Sequence, residues 1–402
     1  MTISSIFLPR PDNQTVGIWG IPTSSVNWCE SDYAISYYIA EFVNSMSSMC
    51  MVSFGILGQW SLRYMTKNIN SKNKLQGDIY DPLHAHPSLL GIDRIWCTWF
   101  ALQIVGWGSV AFHGSLQWWS QAFDEVPMVW CAIIHLSTCL VAKFDPLPLA
   151  SSSGKNLGWF TRLLVPSLRR TSKGEPYTPI ISTTFLIHAI TCSLLVTLFR
   201  GPSQFLVFHV LFGSVELGGF WRTFTLANEV SKSSNDRGIA YVEDRYSEAE
   251  YKHLVHKHKE DVRKLHNRGL WLYCIAIAIW STDLNLCDYV SKIPISYPDF
   301  ESLTSSEGIK WIQTTFNPQG HAWWHLLVSL GFYHLGVLAA YDRIIQGHKL
   351  FWQGVERGDK GCLELLTEEK VKGKEVAKKG DIPIIKWVGG FIPVIAMWRE
   401  QR

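Results

Sequence analysis

Seven apolar stretches limit what this chain can fold into, because each is long enough to cross roughly 30 Å of hydrocarbon at about 1.5 Å of helix rise per residue. They run near 34 to 61, 94 to 115, 124 to 144, 179 to 200, 204 to 225, 269 to 290 and 321 to 345, the fourth and fifth joined only by the turn Gly201-Pro202-Ser203. The expected fold class is an all-α membrane protein, a seven-transmembrane helix bundle. Composition agrees, with 47% hydrophobic residues, 19 Trp and only 18% charged residues. The net charge of +3 does not point to nucleic acid, since the basic residues sit in loops and not on one face of a folded domain. Nine cysteines without a C-x-x-C pair suggest neither a zinc ribbon nor a redox motif. Residues 1 to 27 hold no charged run followed by an apolar one, so no cleavable signal is expected and the first membrane helix serves as the insertion signal.

Loop charge predicts the orientation. Lys67, Lys72 and Lys74 follow the first stretch, and Lys155, Arg162, Arg169, Arg170 and Lys173 the third. Lys252, Lys257, Lys259, Arg263 and Lys264 lie between the fifth and sixth. The alternate connections are poor in charge: 116 to 123 has no Lys or Arg, and 291 to 320 only Lys292 and Lys310. By the positive-inside rule the N-terminus is lumenal and the tail cytosolic. The expected organisation is a lumenal segment, 1–33, a seven-helix catalytic domain, 34–345, and a cytosolic tail, 346–402. The long cytosolic loops are 145–178 and 229–268, the second read as a solvated extension of the sixth helix. The tail reads as a helical appendage ending in an amphipathic stretch around Ile382 to Trp398 that suits a membrane surface. Asn13-Gln14-Thr15 is a glycosylation sequon, usable only on a lumenal segment.

The chemistry gathers at Gly320-His321-Ala322-Trp323-Trp324-His325. His321 and His325, four residues apart, share a helix face and offer two imidazole nitrogens to one metal ion. The motif alone is weak, and lone histidines at a helix end are usually caps or interface residues. The predicted topology adds to it: His113 near the end of the second stretch, Ser109 one turn before it, and Asp124 and Glu125 at the start of the third all lie at the same lumenal depth. Ionisable groups inside a membrane are costly, so such a cluster reads as a functional site. Three imidazoles leave an open fourth position on tetrahedral zinc, the arrangement of catalytic sites. Asp124 is then a general base for water and Ser109 a hydrogen-bond donor to an oxyanion, although Asp124 also suits a helix N-cap ahead of Val126-Pro127. Asp283, His209, Glu216 and His334 are further intramembrane polar residues of lower rank. Trp118-Trp119 and Trp323-Trp324 read as an interfacial aromatic belt.

Several segments resemble, in order, the signatures of the alkaline ceramidases, fungal-type phytoceramidases and dihydroceramidases among them. They are Asn27-Trp28-Cys29-Glu30-Ser31-Asp32-Tyr33, Tyr38-Ile39-Ala40-Glu41-Phe42 with Asn44, Gly108-Ser109 with Phe112-His113, Asp124-Glu125-Val126-Pro127-Met128, and the His321 to His325 run. The resemblance spans about residues 19 to 345. It implies a zinc amidohydrolase in which His113, His321 and His325 bind Zn2+, Asp124 activates water and Ser109 supports the transition state. It also implies a Ca2+ site on Asn27, the Trp28 carbonyl, Glu30, Asp32 and Glu41. The family more often has Asp at the position of Asn27 and Asn at that of Asp32, an exchange that keeps the formal charge. The implied substrate is a membrane lipid, ceramide, with the bilayer as surroundings and no nucleic acid or obligate protein partner. The implied location is the endoplasmic reticulum or Golgi membrane.

Cys29 and Cys287 fall at the lumenal ends of the first and sixth helices, which predicts a disulfide between them; the other cysteines lie in the membrane or near the cytosol. Adiponectin-type receptors share the three-His, Asp and Ser site, so a lipid-sensing receptor is the rival reading, disfavoured by the Trp-Cys-Glu segment and by the predicted lumenal N-terminus. Hydrolysis of another lipid amide, or reverse ceramide synthesis, is a third.

Overall fold

A computed structural model of the chain describes residues 16–72, 79–80, 92–144, 180–232, 248–290, 293–298, 311–315, 319–356, 375–376 and 382–398, with residues 358 and 363. The sequon at Asn13 and the loop 145–178 lie outside the described residues. Among the described residues seven helices follow the seven apolar stretches: α1 Phe42–Lys72, α2 Ile92–Ser115, α3 Trp118–Phe144, α4 Ile180–Leu198, α5 Pro202–Lys232, α6 Glu248–Val290 and α7 Gly320–Glu356. Five of them, α2, α3, α5, α6 and α7, contain segments long and apolar enough to cross a membrane, the make-up of an integral membrane protein. The apolar part of α4, Thr184–Leu198, is shorter. α1 opens on the polar residues Asn44, Ser45, Ser47 and Ser48, of which Asn44, Ser47 and Ser48 turn out to serve the site.

The bundle is wrapped around α7, which touches α1, α2, α3, α5 and α6; α3 in turn packs on α2, α4 and α5. The last helix is accordingly buried almost all round from Gly331 to Ile345, as expected for a central helix apolar on every side. Trp99 of α2, 1% exposed, marks the tightest layer. A Cβ at Gly58 of α1 or Gly336 of α7 would come within 2.2 and 2.4 Å of its ring, so glycine at both positions lets three helices close on one indole.

Three expectations change. α1 begins at Phe42, not near residue 34, because 34–41 crosses the end of α2, where Ala40 and Glu41 donate their backbone N–H groups to the carbonyls of Gly114 and His113. α3 begins at Trp118, not at 124, so residues 118–123 are helix and Asp124 stands two turns inside rather than at the N-cap. The stretch Ile382–Trp398 is not an amphipathic helix. Ile382–Val388 and Ile392–Trp398 pair antiparallel across Gly389 and Gly390, whose φ of 59° and 74° suits glycine, and β-branched residues on both arms favour strands. The fold is thus mostly helical, not all-α, with a second hairpin, Pro294–Pro298 with Trp311–Thr315, between α6 and α7.

The Ile382–Trp398 hairpin is no loose appendage. Ile385 and Ile395 are each 1% exposed in the core cluster of the bundle. Tyr333 of α7 donates to the Pro393 carbonyl at 2.8 Å, Arg268 of α6 to the Gly390 carbonyl at 2.8 Å, and Trp387 Nε1 to Asp261 at 3.1 Å. The cytosolic extension expected of the sixth helix is the first half of α6, continuous with the apolar half and opened by the exposed Lys252–Glu248 pair.

Candidate metal centre

His113, His321 and His325 are buried together, one nitrogen of each lying within 4.8 Å of the others. α2 delivers His113 in its last turn, while α7 delivers His321 and His325 in its first two, as their spacing predicted. A single hydrogen bond settles the form of His113: Nδ1 lies 2.6 Å from Glu41 Oε2, with both side chains fully buried. Donating Nδ1–H to a carboxylate leaves the lone pair on Nε2, which has no hydrogen-bond partner. His321 Nδ1 is likewise buried without one. His325 directs Nδ1 to Ser47 Oγ at 2.8 Å and Nε2 toward the centre, 3.5 Å from Ser109 Oγ. Three clustered imidazoles, two of them with a nitrogen left unpaired in a dry pocket, would be costly to maintain for packing alone. As a donor set for a divalent metal they fit.

Ser109, 1% exposed, accepts a hydrogen bond from Ser48 at 3.0 Å and is hydrogen-bonded to Asp124. The approach of α2 and α3 that allows this contact has a visible cause. Pro127 cannot donate to the carbonyl of Phe123, and Gly108 faces that carbonyl so closely that a Cβ would lie 1.9 Å from it. Glycine before Ser109 and proline after Asp124 thus set their side chains together. Glu125, the neighbour of Asp124, is turned away from the metal cluster and accepts from Gln121 at 2.7 Å and Gln204 at 3.0 Å.

The N-terminal segment forms the roof. Trp28 stacks on His321 at 3.7 Å between ring centroids and 16° between planes, and Trp324 covers the other side at 5.1 Å and 14°. Trp28 and Trp324 therefore belong to the site, whereas Trp119 and Trp323 are about half exposed, as an aromatic belt requires. Glu30 accepts from the backbone N–H groups of Val43 and Asn44 at 2.7 and 2.8 Å and so caps α1 from outside the helix. Burial pushes Glu30 up to about 7, and the nearby Glu41 and Asp32 push the same way, against the lowering effect of those two N–H groups. Asn27 donates Nδ2–H to Asp32 at 3.0 Å and leaves its own Oδ1 buried without a partner, while Trp28 N–H donates to Glu41 at 3.2 Å. Three crowded carboxylates and an unpaired amide oxygen are a donor set that suits a hard cation. Glu41 thus faces both clusters, although the family resemblance implied a place for it only in the oxygen cluster.

The disulfide between Cys29 and Cys287 is present and fixes this roof to α6, where Asp283 also accepts from the Cys29 backbone N–H at 3.2 Å. Beneath the metal cluster lies a pocket whose walls are largely apolar. Met51, Val105, Met128 and Val328 line it, each about one turn below a residue of the site on its own helix. Glu216, hydrogen-bonded to Tyr273, is the main polar feature of that wall. Of the other polar residues ranked low, His209 is bonded to the carbonyl of Phe205 and His334 contacts the carbonyls of Leu330 and Phe391, away from the cluster.

Comparison with known proteins gives a match to the family model described as Ceramidase over residues 20–353. Alkaline ceramidase 3 of Mus musculus is 24% identical over 330 residues, 82% of this chain and 87% of that protein. Alkaline ceramidase YPC1 of Saccharomyces cerevisiae is 22% identical over 374 residues, 89% of this chain and 93% of that protein. The Dictyostelium discoideum protein dcd3A is 36% identical over 120 residues, 30% of this chain, and the match covers only 39% of that relative's length.

Proposed function

This chain belongs to the ceramidase family, and on that premise we propose that it is a membrane amidohydrolase that cleaves the N-acyl amide bond of ceramide, giving a sphingoid base and a free fatty acid. The observation that carries the proposal is the meeting of three buried imidazoles with the Ser109–Asp124 pair at the head of an apolar pocket. His113, His321 and His325 would hold zinc, which when bound supplies Lewis acidity and brings the pKa of water toward about 7. The other steps belong to the chain. Asp124 accepts a proton from the water that adds to the amide carbon and returns it to the nitrogen as the C–N bond breaks. Ser109 donates its O–H to the amide oxygen as charge develops there. Glu41 holds His113 in the ligating tautomer. Met51, Val105, Met128 and Val328 take up an acyl chain while the amide stays at the site.

Calcium is the cation assigned to Asn27, the Trp28 carbonyl, Glu30, Asp32 and Glu41. The contacts of Glu41 with Trp28 and His113 tie that site to the catalytic one. All seven helices cross the bilayer in this reading, with the N-terminus and the site on the lumenal side of the endoplasmic reticulum or Golgi membrane and the tail in the cytosol. The Cys29–Cys287 disulfide supports it, because such bonds persist in oxidising compartments. Phyto- and dihydroceramide are the proposed substrates. The test is release of sphingoid base from a panel of dihydro-, phyto- and unsaturated ceramides by purified protein, with metal content measured alongside. Turnover by the native chain and its abolition, with loss of bound metal, in His321→Ala is the expected outcome. A well-folded His321→Ala protein that keeps both metal and activity rejects it.

A further inference from the structure

The C-terminal hairpin lies beyond residue 353, where the family match ends, and no step of the chemistry uses it. It is nevertheless bonded into the bundle at a particular depth. Its tip meets α6 at Arg268, where the apolar half of that helix begins, and α7 at His334, inside the spanning segment Gly320–Ile345. The tip is also apolar and uncovered by protein: Val388 is 58% exposed and Phe391 45% exposed. On the adjoining surface of α6, Trp271 is 68% exposed, as a lipid-facing residue would be. Around this tip stand cations. Arg268 lies over the rings of both Trp387 and Phe391 at 4.6 and 5.4 Å, Lys264 lies over Trp387 at 5.4 Å, and Lys386 is exposed on the hairpin itself. Apolar tip, indole at the boundary and basic collar form the layered pattern of a protein element seated in the headgroup region of a bilayer. The cations give such an element a preference for anionic lipid, since each basic residue near a charged leaflet is attracted to it.

We propose that the Ile382–Trp398 hairpin is a membrane-inserted anchor: Val388 and Phe391 enter the leaflet on the tail side of the bundle, and Lys264, Arg268 and Lys386 engage the headgroups of anionic lipids there. The occupant of this surface is the bilayer itself, continuous with the lipid around α6 and α7. The proposal depends on the bundle crossing the membrane but not on the reaction at the metal centre.

The test is hydrogen exchange of hairpin amides in the full-length protein, in nanodiscs of phosphatidylcholine alone and of phosphatidylcholine with phosphatidylserine. Exchange slower by roughly tenfold or more with phosphatidylserine, an effect that shrinks as salt is added, is expected. Lys264→Gln with Arg268→Gln and Lys386→Gln should remove the difference between the two lipids. Phe391→Ser should speed exchange in both while leaving the amides of α7 near His325 protected. Equal exchange in the two lipids, unaltered by these variants, would overturn the anchor and leave the hairpin held by protein contacts alone. Protection that follows protein concentration instead of lipid would also overturn it and give this face to a second copy. Failure of the membrane reading looks different: alkaline carbonate would then strip the whole chain from membranes, whereas failure of the anchor alone leaves the chain embedded.

Discussion

The two ends of this bundle are built by different means. At the site end, side chains meet through hydrogen bonds: Glu41 to His113, Ser47 to His325, Ser48 to Ser109, Glu30 to the start of α1. At the tail end, Trp99, Tyr333, Leu338, Tyr341 and Ile344 are held mainly by burial, and two isoleucines of the hairpin join the same core. Apolar packing tolerates substitutions of similar volume. A buried polar network does not, since removing one member strands another. Changes at the site end should therefore reach chemistry before stability, and changes at the tail end stability before chemistry.

The sharpest test is Asp124→Asn, which keeps shape and removes the proposed base. Turnover should fall by roughly 10²- to 10⁴-fold with metal content and melting temperature unchanged; loss of metal instead would make Asp124 a structural residue. Glu41→Gln should weaken metal affinity or activity by about 10- to 100-fold, as removal of a carboxylate behind a ligating histidine does, read by metal titration of purified protein. The comparison would break if this change lowered stability alone. Gly108→Ala should cost about 1–3 kcal/mol, because the new methyl forces α2 from the Phe123 carbonyl. Because it also separates Ser109 from Asp124, kcat should fall while KM holds. At the other end Ile385→Ala should lower the thermal midpoint, a loss of about 2 kcal/mol or more, with metal content and kcat intact. The smallest effect should be that of Glu216→Gln. As the polar member of the pocket wall it should shift KM several-fold among chains of different polarity and leave kcat alone, in the same ceramide panel.

Much of the site could be read before any coordinates, and the reason is that its chemistry is local in sequence. His321 and His325 lie one turn apart, Ser109 and His113 likewise, and counting apolar stretches brought the two pairs to one depth. The Cys29–Cys287 bond followed from the same count. What escaped depends on contacts across the fold. Trp324 sits beside Trp323, and nothing in that pair distinguishes the ring that stacks on His321 from the one that faces outward. Ser47 and Ser48 look like ordinary helix residues until α7 is placed against α1. The missed start of α3 has a different cause, since Trp118, Ser120 and Gln121 resemble a loop by polarity, yet Gln121 is buried by its bonds to Ser25 and Glu125. For the tail, a mixture of Ile, Pro, Trp and Lys fits either an amphipathic helix or a hairpin. The pair Gly389-Gly390 was the local sign of the hairpin.

The Cys29–Cys287 bond also imposes an order on how the protein comes to exist. Its two halves are 258 residues apart, so the roof segment has no covalent hold until α6 has been made. His321 and His325 follow later still. A nascent chain holding α1 to α5 thus carries Asp124, Ser109 and His113 but neither of the two imidazoles of α7 that complete the cluster. The three-imidazole cluster is complete only with α7, when an early segment of the chain comes to lie over a late one.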